Sequence, residues 1–319
     1  MSKSKEIADE IIKGIKNGES INSLKSRLAS TEDEWHRFSS KAYNEYLSIG
    51  KKERKTSELK PNTLCTSNKK IKEILILNDV LSNYALLIPI FSTVPQLDYI
   101  NQLSKELPSS ESKILEIIGN DTMHPKVRVM QKKGRFEEFE YFKKFVHLID
   151  AATLSYYRTN YISCYLTLTP IIEGVIIRWM GYSDGDKKPQ FDDLRKFFKN
   201  SHKRQPCPSN ILFHNVYTKI CDKILNQHLY KPSDEGSSYA NFNRHVASHL
   251  LNDNQFATKE NCIRLFMLLD TMTEIFLYES KINDPRFELE NHHLANEIEI
   301  LANVMLDYSE MSAEYKLLG

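Results

Sequence analysis

Arg244, His245 and His249 have the side-chain types and the spacing to act on a phosphodiester. They close the stretch Tyr239-Ala-Asn-Phe-Asn-Arg-His-Val-Ala-Ser-His249. A guanidinium grips phosphate with a two-pronged fork of N–H donors. An imidazole takes up and returns a proton near neutral pH. On a helix each residue turns by about 100°, so His245 and His249, four apart, share one side. Arg244 stands at the edge of that face. One helix would thus present an imidazole pair flanked by a guanidinium.

Spacing alone is weak evidence. With 12 Arg and 10 His in 319 residues, chance supplies about 0.4 matches to Arg-x-x-x-x-His. A looser match, Arg286 with His292 and His293, begins in a Pro-containing loop and lies in a polar context, which marks it as a decoy. The context of Arg244 is richer. Phe242 and Asn243 precede it, and a polar, Gly-containing loop over 231–238 leads into it. Histidines four apart also have zinc-ligand spacing. The metalloprotease pattern, however, asks for Glu directly after the first histidine, and Val246 stands there. No metal site is expected, and no other cofactor.

The elements that must position these residues are helical. Ile7, Ile11, Ile12 and Ile15 lie on one face of an amphipathic helix over 6–16. Thr31 caps a second helix whose first turn holds Glu32, Asp33 and Glu34, the charges that suit a positive dipole end. Lys51 to Lys70 reads as a basic linker containing Pro61. The apolar run from Ile74 to Phe91 contains Asn78, Asp79, Asn83 and Pro89. It predicts a buried helix ending near Pro89 rather than a membrane span. Prolines and the run Pro108-Ser-Ser-Glu-Ser112 break the chain between Pro89 and Pro125.

From Phe136 onward the periodicity is cleaner. It predicts helices over 136–157, 160–180, 192–198 and 211–229, then the motif helix. A further helix capped by Thr258 follows, running to Tyr278, and a last one covers 288–306. No strand-like alternation and no internal repeat occurs. The fold class expected is all-α, with an up-and-down helical bundle over 134–283. A helical N-terminal region, 1–133, precedes it and a C-terminal helix, 284–319, follows.

Bulk properties exclude some functions. There are 43 basic and 42 acidic side chains, giving a net charge of +1. The chain is no bulk polycation, so contact with nucleic acid has to come from a local patch. Candidate patches are Lys51, Lys52, Arg54 and Lys55; Lys126, Arg128, Lys132, Lys133 and Arg135; and Lys203 with Arg204. Five scattered cysteines fit reduced thiols in a cytoplasmic protein. The first residues, Met-Ser-Lys-Ser-Lys-Glu, hold no apolar signal core, and no membrane partner is expected.

The motif and its surroundings resemble the HEPN superfamily of helical ribonucleases and nucleotide-binding proteins. The family's Arg, then Asn, Asp or His, then a later His, match Arg244, His245 and His249. Pro170-Ile-Ile-Glu173-Gly is similar to the glutamate-bearing helix of many prokaryotic members. The resemblance covers roughly 136–281. It departs where many relatives carry Gly after the second histidine and this chain has Leu250.

This resemblance implies RNA as the partner, a homodimer with a composite site on the Arg244/His249 face, a 2′,3′-cyclic phosphate product and no metal. It further implies the effector of a bacterial toxin or antiphage system; whether activity is constitutive, or held off by an inhibitory or sensor partner or by the N-terminal region, stays open. Metal-free RNA cleavage needs a base for the 2′-OH, an acid for the leaving 5′ oxygen and a cation for the charge on phosphorus. His249 is the expected proton carrier and Arg244 the phosphate clamp. His245 is polar support or a second proton carrier. Asn243 is a supporting residue. Glu173 either faces Arg244 across the bundle or is a surface glutamate beside a mid-helix Gly. Lys132, Lys133, Arg135, Lys203 and Arg204 are the expected RNA-tracking cations. Two rival readings stay open: a module that binds RNA or nucleotide without cutting, and a helical scaffold for protein contacts.

Overall fold

The computed structural model describes residues 3–17, 19–49, 68–182, 188–232, 237–249, 255–289, 291–306 and 313–318. Among them all regular structure is helical and no strand occurs. The fold is all-α. Of the linker expected over Lys51 to Lys70, residues 51–67, Cys65 included, lie outside the described residues, whereas 68–70 already belong to a helix that starts at Asn68.

Three helices open the chain: α1 (Lys3–Lys16), α2 (Ile21–Leu28) and α3 (Glu32–Ile49). Ala8, Ile11 and Ile12 of α1 pack with Leu24, Trp35, Phe38 and Ala42. Thr31 Oγ1 accepts the Glu34 amide at 3.2 Å, the expected cap. Sequence periodicity missed α2, whose Ser20 accepts the Ser23 amide. This small core closes on Cys207 and Ile211, so the N-terminal helices sit against the start of a later helix.

Helix α4 (Asn68–Ser82) stops well short of Pro89. Ala85 adopts a left-handed φ of 53°, and Asn78 Oδ1 accepts the Ile88 amide at 2.9 Å. The apolar residues Leu86 and Leu87 are therefore buried in extended chain rather than in helix. Between Pro89 and Pro125, where the sequence looked broken, lie α5 (Val94–Ser104) and α6 (Glu111–Met123). Pro95 is tolerated because it falls in the first turn, where no helical N–H bond is lost.

Next come α7 (Pro125–Gln131), which runs on through a π turn (Lys132–Phe136), then α8 (Glu140–Lys143) and α9 (Val146–Tyr157). The one helix expected over 136–157 is thus broken. Phe139 and Phe142 turn inward instead, with Phe139 at 4.9 Å from Phe276. Burial of these rings overrides local helix propensity.

The remaining helices are α10 (Tyr161–Trp179), α11 (Phe191–Arg195), α12 (Ser201–Arg204), α13 (Ile211–Ile224), α14 (Arg244–Ser248), α15 (Lys259–Ser280), α16 (Asn291–Leu306) and α17 (Ala313–Leu318). α9 and α10 form a tight pair, and α15 packs on α6, α10 and α13. One apolar core runs from Ile71 to Leu277. It passes through the boundary placed at 133/134 without interruption, so 1–133 and 134–283 do not separate two cores. By length and composition α10 could cross a membrane, but most of its apolar window is buried inside the protein.

Helix α15 is buried from Asn261 to Leu277. Its charged side chains are therefore paired. Arg264 meets Glu111 at 2.9 Å, Asp270 meets Arg128, and Glu274 Oε1 accepts from Arg135 at 2.7 Å and Arg286 at 2.6 Å. Near its end Glu279 binds Arg204 and His214, each at 2.8 Å. Each buried charge left without its partner would be strongly destabilising. These pairs fix which faces of α6, α7, α12 and α13 meet the central helix.

Candidate functional site

The site begins with a loop held in an unusual shape. Ala240 and Asn241 have φ of 49° and 55°, so the chain reverses just before the motif. Phe242 is then driven inward, edge-on to Tyr165 of α10 at 6.2 Å. Asn261 Nδ2 donates to Ala240 O at 2.9 Å and ties the turn to α15.

Asn243 links this turn to the motif helix. Its Oδ1 accepts the amides of His245 at 2.7 Å and Val246 at 3.3 Å, an N-cap. Its Nδ2 donates to the carbonyls of Lys231 at 2.8 Å and His228 at 3.2 Å. All four contacts come from one buried side chain. α14 has only five residues, too short to stand without such support.

Arg244 points back across the bundle. Its Nε lies 3.0 Å from Glu173 Oε2 on α10. The other carboxylate oxygen, Oε1, accepts from Lys188 Nζ at 2.8 Å. Of the two readings of Glu173, the structure places it opposite Arg244. One carboxylate stands between two cations, so the cluster carries a surplus positive charge. Phe191 at the start of α11 flanks it, 5.6 Å from the Arg244 guanidinium and 5.3 Å from the His245 ring.

His245 and His249 are the solvent-side members. α14 ends at Ser248, and His249 is its C-cap with φ −107° and ψ 3°. The two rings still lie nearly parallel, with an interplanar angle of 11° and centroids 6.0 Å apart. His249 is exposed and His245 half-buried. Burial, then the charges of Arg244 and His249, push the His245 imidazolium below its ordinary range, against a smaller opposing pull from Glu173. The lowered proton affinity favours the neutral imidazole, the form able to accept a proton.

The arrangement brings together Arg244, His245, His249, Glu173 and Asn243. It does not bring the expected RNA-tracking cations to them. Arg135 has no exposed surface and is held by Glu274 and Asp284. Lys132 pairs with Asp150 at 2.9 Å and Glu297 at 3.2 Å, and Lys133 with Glu137 at 3.0 Å and Glu297 at 2.8 Å. Arg204 binds Glu279 and lies over the Phe197 ring at 3.8 Å. Arg135 is thus enclosed, and Lys132, Lys133 and Arg204 are each held by carboxylates of the bundle rather than turned toward the motif. Lys203 is exposed. Arg286, the partner in the decoy motif, is likewise engaged by Glu274 and Asp284.

Lys188 and Phe191 went unnoticed in the sequence. Their only signal was position: a Lys, Pro and aromatic cluster beginning a short helix just after the one that carries Glu173. Among the described residues, no three His, Cys, Asp or Glu side chains gather as metal ligands would. No family model, curated protein or solved structure matches the chain.

Proposed function

We propose that this protein is a metal-independent endoribonuclease of the HEPN kind, with Arg244, His245 and His249 as its reacting groups. The observation that carries this reading is the Glu173–Arg244 contact beside a parallel imidazole pair. The carboxylate aims the guanidinium, the Asn243 cap holds the turn, and the imidazoles face solvent where a strand of RNA can reach them.

In the proposed reaction, neutral His245 takes the proton from a ribose 2′-OH. The 2′ oxygen attacks phosphorus, and the bond to the 5′ oxygen breaks. His249 gives a proton to that leaving oxygen. Arg244 meets the charge that builds on the phosphoryl oxygens. The products are a 2′,3′-cyclic phosphate and a free 5′-OH. DNA, lacking the 2′-OH, is spared. Exposure of His249 leaves room for a second copy to bring its own motif beside it, and we place the homodimer contact on this face. A role as a toxin or antiphage effector belongs to the same proposal.

The test is cleavage of end-labelled total and transfer RNA in excess EDTA. The native protein is expected to leave cyclic-phosphate ends, while His249→Ala and Arg244→Ala leave the RNA intact and still fold. Equal cutting by native and variant proteins would sink the assignment. Salt-sensitive RNA binding without any cutting would make this a binding module instead.

A further inference from the structure

Lys188 has no place in the resemblance or in the reaction above, yet it shares a carboxylate with Arg244. Glu173 offers Oε1 to Lys188 and Oε2 to Arg244. Glu173 is almost fully enclosed, whereas 59% of the Lys188 side chain is exposed. An ion pair with so exposed a partner adds little to folding. Its structural effect is small, while its electrostatic effect is local and definite. Glu173 is already neutralised by Arg244, so the second cation makes the site attractive to anions.

Geometry narrows the kind of anion. The two cationic groups are bridged by one carboxylate, so they stand no further apart than its width plus a contact on either side. That span admits neighbouring phosphates along one RNA strand. Arg244 is the less exposed cation and is aimed by Glu173. Lys188, on a flexible four-carbon stem, can leave Oε1 and turn outward with little loss. A lysine serves a phosphate as a point charge, with no fixed fork to align. Arg244 and Lys188 are thus a rigid clamp and a mobile one, side by side.

Resting on the ribonucleic acid reading of this site, we propose that Lys188 is a second phosphate-binding residue. It holds the phosphodiester next to the one gripped by Arg244, so the site takes a single strand with at least two consecutive phosphates. Lys188 touches no reacting atom. It anchors the strand so that the scissile phosphate falls on Arg244 and the imidazoles.

The test is fluorescence anisotropy with 2′-O-methyl RNA, which binds but cannot be cut. A labelled hexanucleotide and a labelled dinucleotide with one phosphodiester are titrated against native protein, Lys188→Ala and Lys188→Arg at several salt concentrations. For the hexanucleotide, Lys188→Ala is expected to weaken binding on the order of tenfold and flatten the log K against log salt slope by about 0.7, one single-strand phosphate contact. Lys188→Arg restores both, and the dinucleotide binds native and Lys188→Ala alike. A merely structural lysine would change the melting temperature and leave the salt slope alone. Hexanucleotide binding with an unchanged slope in Lys188→Ala overturns the proposal. Failure of the native protein to bind either RNA overturns it together with the reading beneath it. Binding with the expected slope change, but no cleavage of ordinary RNA, supports Lys188 and refutes catalysis alone.

Discussion

Glu173 and Arg244 meet at 3.0 Å across two helices, the first within the long α10 and the second opening the five-residue α14. A buried carboxylate needs a cation or hydrogen bonds, and a guanidinium needs a fixed partner to point in one direction. Each supplies the other. Glu173→Gln keeps the volume and removes the charge. Because Arg244 and Lys188 retain access to water, the loss of folding stability is expected to be under about 1 kcal/mol. The cleavage rate is expected to fall by about 100-fold through misalignment of Arg244. Urea unfolding and single-turnover cleavage, run on the same preparation, separate the two effects.

Asn243 should be the most fragile part of the site. Asn243→Ala removes the cap of α14 and two bonds to the 228–231 segment at once. Loss of a cap alone is worth about 1 kcal/mol, and the freed buried carbonyls add about as much again. A fall of about 2 kcal/mol in urea unfolding free energy is expected. A drop below about 0.5 kcal/mol would show that water replaces these bonds freely.

The pH dependence follows from two histidines. Burial lowers the proton affinity of His228, and at the site that of His245, where burial leads and Arg244 contributes next. A group whose folded pKa is depressed is stabilised in its neutral form. Its contribution is complete above the unfolded value of 6.5 and is lost as pH falls through the folded values. The protein should therefore be less stable near about pH 5 than near about pH 7.5, by unfolding in urea. In proton NMR the His245 ring should titrate below 6.5, and Arg244→Met should move that titration upward. An unmoved titration would mean that burial alone sets it.

How much of this was legible in the sequence depends on which force decided each element. Helices set by apolar period or by a cap were readable: the spacing of Ile11 and Ile12, the Thr31 cap and the Thr258 cap all survive in the structure. Elements set by long-range packing were not. Phe139 and Phe142 break a helix in order to bury their rings against Phe276. Arg135 looked like a surface cation because nothing near it in the chain shows that Glu274 and Asp284 will enclose it. In the candidate site, residue types and spacing single out Arg244, His245 and His249 in the chain, but Lys188 is noticed only once Glu173 is seen between two cations.

Gly174, beside Glu173, is a backbone constraint on the site. A Cβ there would fall 2.7 Å from Phe145 Cζ. Alanine ordinarily favours a helix over glycine by about 1 kcal/mol. Here displacement of the Phe145 ring outweighs that gain, and Gly174→Ala is expected to destabilise by about 1 kcal/mol net. Since α10 would shift at the residue next to Glu173, cleavage should fall along with stability. A stabilised, fully active Gly174→Ala would mean that Phe145 moves aside at no expense.

The basic residues of the π turn test whether charge in the sequence or placement in the fold governs RNA contact. Lys132 and Lys133 both hold Glu297 of α16, and Lys132 also holds Asp150. Burial and these partners compete at Lys132, and the partners prevail, raising its proton affinity. The double change Lys132→Ala with Lys133→Ala should therefore lower the melting temperature by releasing α16, while RNA affinity and its salt slope stay as in the native protein. Arg135→Ala is a harsher version, because it strands the buried Glu274 beside Arg286 alone. A loss of about 3–5 kcal/mol is expected there, by urea unfolding. If the lysine pair instead weakened RNA binding and flattened its salt slope, the nucleic-acid path would run along α7 and α16, away from Arg244.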